Sequence, residues 1–206
     1  MKLWQTKIIL LFILLPLTST SQQLYSLSGG VNLPQVMRNS SSPYLSVGTD
    51  FKTSYVISFD YVKYTGKHFG LGTSLDYVNT TADLIITTGS HLGVSHTDSV
   101  FYKFGFLNIS ILPGFKWGEK VQFYVQAGAY FGFLTNTNSD AQGNIQQTDI
   151  GFEGVLGLRI PVGKQIGLLV KNSYSYGFGE KYKDAGDLST LSIMILGGIY
   201  YSLPGN

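Results

Sequence analysis

The run Val121-Gln122-Phe123-Tyr124-Val125-Gln126-Ala127-Gly128-Ala129-Tyr130-Phe131-Gly132-Phe133 alternates without a break. Its odd positions are aliphatic, aromatic or alanine; its even positions are amide, tyrosine or glycine. A period of two places successive side chains on opposite faces of a β-strand. The odd face is apolar throughout. The even face has no charge to solvate a soluble exterior, and its glycines make room for large neighbours. A narrow polar interior inside a lipid-facing wall satisfies both faces at once.

Working outward, the same alternation recurs in eight segments: 24–33, 52–64, 68–81, 99–116, 121–135, 149–160, 165–177 and 188–203. Each is long enough to cross a bilayer as a tilted strand, which takes about 9–11 residues. Tyr55, Ile57, Phe59 and Tyr61 oppose Ser54, Val56, Ser58 and Asp60; Leu191, Ile193 and Ile195 oppose Ser192, Met194 and Leu196. Connections alternate in length. Those at 65–67, 117–120 and 161–164 are tight; those at 34–51, 82–98, 136–148 and 178–187 are long and polar. Outer-membrane barrels keep tight turns on the periplasmic side and long loops outside. The expected fold is therefore all-β, an eight-stranded antiparallel transmembrane β-barrel of the outer-membrane type.

Composition agrees. Of 206 residues only 13% are charged while 14% are aromatic, and 25 are glycine. A net charge of +2 offers no basic field for nucleic acid. The absence of cysteine excludes disulfides, thiolate metal sites and a lipid-modified cysteine. Residues 1–21 read as an export signal: Lys2 and Lys7, then an apolar run from Ile8 to Leu17, then Ser19 and Ser21. The run is short of the ~20 residues of a spanning helix. The expected organisation is a leader at 1–21, cleaved on export to the outer membrane, and a barrel domain at 22–206.

Rings gather near both strand ends, as two lipid–water interfaces require. The expected girdle includes Tyr61, Phe69, Trp117 and Tyr201 toward the turns, with Phe131, Tyr174 and Tyr176 toward the loops. Tyr64 and Tyr200 lie at the same depth. Lys63 and Lys103 fall on the outward parity near strand ends, where long stems can reach water. Asp60, Asp76, Glu153, Arg159 and Lys171 fall on the inward parity and form the expected luminal polar network, a paired plug rather than a pore, because eight strands enclose a space that side chains fill. A three-residue turn at 161–163 would pair Ile160 with Lys164, set Glu153 opposite Lys171, and leave Asp60 or Asp76 to Arg159.

Catalytic and metal chemistry have little to stand on. His91, His96 and Asp98 share one loop without the convergent spacing of a metal site. Ser90-His91 and Ser95-His96 supply only the ingredients of a hydrolase, and His68 sits beside a tight turn. Gly151-Phe152-Glu153-Gly154 is not followed by a helix, so it is no phosphate loop. No catalytic residue, metal or cofactor is expected.

Several stretches resemble the small outer-membrane barrel proteins of Bacteroidetes, the broad family that includes the PorT secretion-associated protein. They are Phe106-Leu107-Asn108-Ile109 through Pro113-Gly114-Phe115-Lys116, Phe123 through Phe133, Asp149 through Gly157, and Tyr174-Ser175-Tyr176-Gly177. Family members often carry Tyr-Leu-Glu-Ile-Pro in the fourth strand; here Ser110 follows Ile109, as in a divergent member. The residues themselves point to a non-enzymatic barrel, structural or presenting extracellular loops to a protein partner. The resemblance alone implies an alternative, an accessory of protein secretion; less in keeping with the residues are a small lipid-modifying enzyme and a soluble ligand-binding barrel. Expected partners are outer-membrane lipid and lipopolysaccharide, and the barrel assembly machinery, which would read Tyr201 near the C-terminus.

Overall fold

The alternating segments all form strands, and most run past the ends that the sequence suggests. The computed structural model describes residues 22–38, 45–52, 54–89, 95–138, 147–178 and 188–204. The strands are β1 (Gln23–Arg38), β2 (Leu45–Lys52), β3 (Ser54–Tyr64), β4 (Phe69–Gly89), β5 (Ser95–Trp117), β6 (Gln122–Thr137), β7 (Thr148–Pro161), β8 (Ile166–Gly177) and β9 (Leu188–Leu203). The segments assigned to a leader, 1–21, and His91 lie outside the described residues, as do the side chains of His96 and Asp98.

β2 and β3 lie end to end against β4, the first along Thr81–Thr88 and the second along Gly70–Val78. The nine segments therefore make eight staves. β1 pairs with both β3 and β9, and β4 with both β3 and β5, so the antiparallel sheet closes on itself. Stepping between paired residues from Tyr25 leads through Tyr61, Thr73, Ile111, Ala129, Phe152, Tyr176 and Leu191 back to β1 at Gln35, ten residues along. That stagger over eight strands tilts them by about 40° from the barrel axis. Closure leaves no open edge in the wall, which hydrocarbon requires.

The tight turns need little chain. Gly66 and Gly118 adopt φ of 86° and 93°, a region that glycine enters without a Cβ penalty. The β7–β8 turn is longer than expected. Its last pair is Pro161 with Gly167, and Val162 donates to the Ile166 carbonyl at 3.0 Å. Glu153 consequently pairs with Ser175, and Lys171 with Gly157, four residues from the expected register. The shift is even, so both side chains keep their inward parity.

The segments expected as long loops at 34–51 and 82–98 are largely strand. Pairing of β4 with β5 continues unbroken from Phe69–Phe115 to Gly89–Ser95. The stretch Leu84-Ile85-Ile86-Thr87-Thr88 is rich in β-branched residues that suit a strand whether or not lipid surrounds it. The β5–β6 ladder has one irregularity, between Gly105 and Phe106, where Thr135 is the extra residue of β6 and donates to the Gly105 carbonyl at 3.0 Å.

Candidate functional site: the filled interior and the lipid face

The outer surface is apolar. Leu27, Ile57, Leu75, Ile109, Ile111, Leu156, Leu168 and Ile195 are all exposed. Of the expected girdle, Phe69, Trp117, Tyr174, Tyr176 and Tyr201 are exposed, while Tyr61 and Phe131 are half-buried. Toward the turns, Tyr61 packs on Tyr25 at 5.1 Å, Phe69 on Phe115 at 5.4 Å, and Trp117 stacks on Phe123 at 6.1 Å. Toward the loops, Tyr55 meets Tyr77 at 6.0 Å, Phe131 meets Phe133 at 4.6 Å, and Phe178 meets Phe152 at 5.0 Å. From Phe123 to Phe133 is ten residues, which at this tilt rise about 25 Å, the height of an outer-membrane apolar band. Tyr64 and Tyr200 lie at girdle depth but point inward, since parity and not depth fixes the face. Lys103 is exposed, whereas Lys63 is buried and its Nζ has no hydrogen-bond partner among the described residues.

Inside, the side chains form three layers. The layer nearest the turns is aromatic and cationic. Leu24, Val62, Leu112, Val155 and Leu169 pack with Tyr64, Tyr124 and Tyr200. The Arg159 guanidinium lies 4.0 Å from the Tyr124 ring centroid and donates to the Tyr64 hydroxyl. Lys116 Nζ sits 3.9 Å over the Tyr64 ring and donates to Gln22 Oε1. Gln22 in turn donates to Ser202 Oγ at 2.8 Å, which ties the entry of β1 to the exit of β9. Arg159 therefore does not take Asp60 or Asp76 as the sequence suggests. Its place is among the tyrosine faces, where a weakly hydrated, planar cation is well held.

The middle layer holds the carboxylates. Lys171 Nζ lies 2.8 and 3.0 Å from the two Asp60 carboxylate oxygens and 2.7 Å from Ser58 Oγ. Ser26 also donates to Asp60, at 2.8 Å. Glu153 accepts from Ser110 and, at 2.5 Å, from Ser173, and Ser74 donates to Asp76 at 2.7 Å. The partner of Lys171 is thus Asp60 on β3, not Glu153 as the shorter turn would have it. Each of these carboxylates accepts from at least one serine hydroxyl, as buried charge demands, while Asp76 Oδ1 has no hydrogen-bond partner among the described residues. Toward the loops, Val56, Val78, Met194 and Leu196 close the barrel, with Tyr130 donating to Asp149 at 2.8 Å.

Four inward tyrosines each sit opposite a glycine on the neighbouring strand: Tyr64 with Gly70, Tyr124 with Gly157, Tyr130 with Gly151 and Tyr200 with Gly167. A Cβ at Gly157 would meet the Tyr124 ring at 2.3 Å, and one at Gly167 the Tyr200 ring at 2.5 Å. The rings lie over the bare glycines and take up the cross-section of the interior. Pure protein in planar bilayers should accordingly give no porin-sized conductance steps; steady large conductance would show that the tyrosine and arginine layer does not block the barrel.

Chemistry is otherwise sparse. His68 Nδ1 lies 2.9 Å from the Lys116 carbonyl. Among the described residues no three His, Asp or Glu side chains gather as metal ligands.

The model of one protein family, described as outer membrane protein beta-barrel domain, matches residues 20–204. The chain belongs to that family. Its barrel is an outer-membrane barrel, and the protein is located in the outer membrane. OprG of Pseudomonas aeruginosa has a similar solved structure, with a TM-score of 0.57 at 11% identity, covering 90% of this chain and 97% of OprG. Neisserial surface protein A scores 0.49 at 13% identity over 87% of this chain and 96% of its own. Ail of Yersinia pestis, solved with the heparin analogue sucrose octasulfate, scores 0.47 at 14% identity over 87% and 99%. At 11% identity the likeness to OprG speaks to the fold alone. No curated protein matches the sequence. Within this outer-membrane barrel, Lys171 and Asp60 are paired and Arg159 lies among tyrosine rings, while β4 and β5 continue paired above the girdle.

Proposed function

We propose that this is a non-enzymatic outer-membrane barrel whose task is to hold a sheet outside the membrane for a protein partner. The observation that carries the reading is the continued pairing of β2, β4 and β5 beyond the loop-side aromatic ring. From Tyr77 at that ring to Gly89, β4 runs twelve residues further and stays paired with β5 throughout. At the barrel's tilt this raises the sheet about 30 Å beyond the ring. A barrel that served only to cross the membrane would need none of this length. Lipopolysaccharide would surround the base of the sheet, and the assembly machinery would fold the barrel; both are expected of its location and neither makes the role specific.

The test removes the β4–β5 part of the projection, on which β2 pairs, and keeps the wall. Ala82 and Tyr102 are paired, so excising residues 83–101 and joining them through Asn-Gly recreates a tight hairpin. The variant should still fold, with heat-modifiable gel mobility, and should lose the partners that cross-link to the full chain on cells. An unchanged set of cross-linked partners would refute the reading. A second reading, membership of the Bacteroidetes type and a place as a secretion accessory, is favoured by the glycine–aromatic strands from Phe106 to Phe133. It expects that deleting the whole protein stops export of a secreted cargo and that the shortened variant does not restore it.

A further inference from the structure

Between the two aromatic rings the lipid face is hydrocarbon almost throughout, and Asn172 on β8 is its one amide among the described residues. Its neighbours are Val170 and Tyr174 along the strand and, across it, Leu156 and Ile195. All four are more than a third exposed on the outer wall. The amide has no hydrogen-bond partner among the described residues; its Oδ1 is covered and accepts nothing there. Acyl chains offer it neither donor nor acceptor.

Two of its diagonal neighbours are glycines. Gly154 pairs with Tyr174, and Gly197 with Val170. A Cβ at either would meet nothing within 4 Å. No side chain overhangs Asn172 from those corners, so another backbone can come close, as small residues allow in membrane interfaces.

We propose that two copies of the chain associate side by side in the membrane through β8, with Asn172 hydrogen-bonded to its counterpart in the second copy. A primary amide carries a donor and an acceptor. On a twofold axis the same group faces itself, and a turn about χ2 that brings Oδ1 out from its present covered position lets each amide both give and receive. The strand tilt supports a small, well-defined contact. Two β8 strands of the same tilt, facing each other, cross at about 80° and touch near one point. One matched polar residue at that point fixes the geometry of the pair.

The chain has no cysteine, which makes the test direct. In phosphatidylcholine liposomes at a fixed protein-to-lipid ratio, Asn172→Cys should form a disulfide-linked dimer on oxidation. Thr73→Cys, lipid-exposed on β4 and far round the wall, should form little. Fluorescence transfer between labelled copies should show Asn172→Leu associating about threefold to twentyfold more weakly than wild type, with Asn172→Gln close to wild type. All variants are first checked for heat-modifiable mobility. Cross-linking at 172 no greater than at 73, or unchanged association of Asn172→Leu, would overturn the proposal.

Discussion

Lys171→Met should lower the stability of the refolded barrel by about 3–5 kcal/mol, the cost of leaving a buried ion pair with one partner. Removing the ammonium strips Asp60 of its bidentate contact and Ser58 of its donor. Asp60 keeps two serines, which solvate a carboxylate poorly in place of a full positive charge. Asp60→Asn with Lys171→Met should recover much of the loss, because removing both partners leaves neither a lone Asp60 carboxylate nor a lone ammonium in the interior. Urea unfolding in detergent, followed by gel mobility, reads all three. Effects that simply add would mean the two groups act independently. Glu153→Gln combined with Lys171→Met serves as the comparison: Glu153 bonds to serines and not to Lys171, so that pair should show weaker coupling.

Ile111→Arg should cost about 2–4 kcal/mol, the penalty measured for a cation near the midplane of an outer-membrane wall. Ile111 is 56% exposed, sits between Thr73 and Ala129, and lies four residues above the ring of Phe115. Its exposure would make the change nearly neutral in a soluble protein. Refolding yield and stability in lipid vesicles separate the two cases. An effect below about 0.5 kcal/mol, the usual size of a surface substitution, would mean that this face does not meet hydrocarbon.

Much of the fold is legible because parity is robust. Arg159, Glu153 and Lys171 keep the same face whether the β7–β8 turn has three residues or five, since the two registers differ by an even number. The turn length itself is not legible: Pro161-Val162-Gly163-Lys164-Gln165 is compatible with several turns, and only packing decides among them. For the same reason the identity of each ion pair escaped reading. Lys171 and Asp60 stand on strands separated by β1 and β9, and a contact across the barrel depends on the stagger of every strand between. The reach of β4 and β5 beyond the membrane is not legible because the alternation that reveals a wall strand fades where neither face meets lipid. The tyrosine–glycine pairs did carry a signal, an excess of glycine on the polar parity, but not which ring covers which glycine.

The single irregularity in the β5–β6 ladder has a meaning for how such a chain can change over time. Below Gly105 and Phe106, inserting one residue into any stave would exchange every oily side chain beyond it with a polar one, and the segment could no longer live in the membrane. At that level β6 carries Thr135 as one residue more than β5, and the wall below keeps its parity. Descendants of a common ancestor should therefore differ in the wall by two residues at a time or not at all, while the outer sheet drifts in single steps. Counting gaps along the chain would then locate the water line with no structure at all.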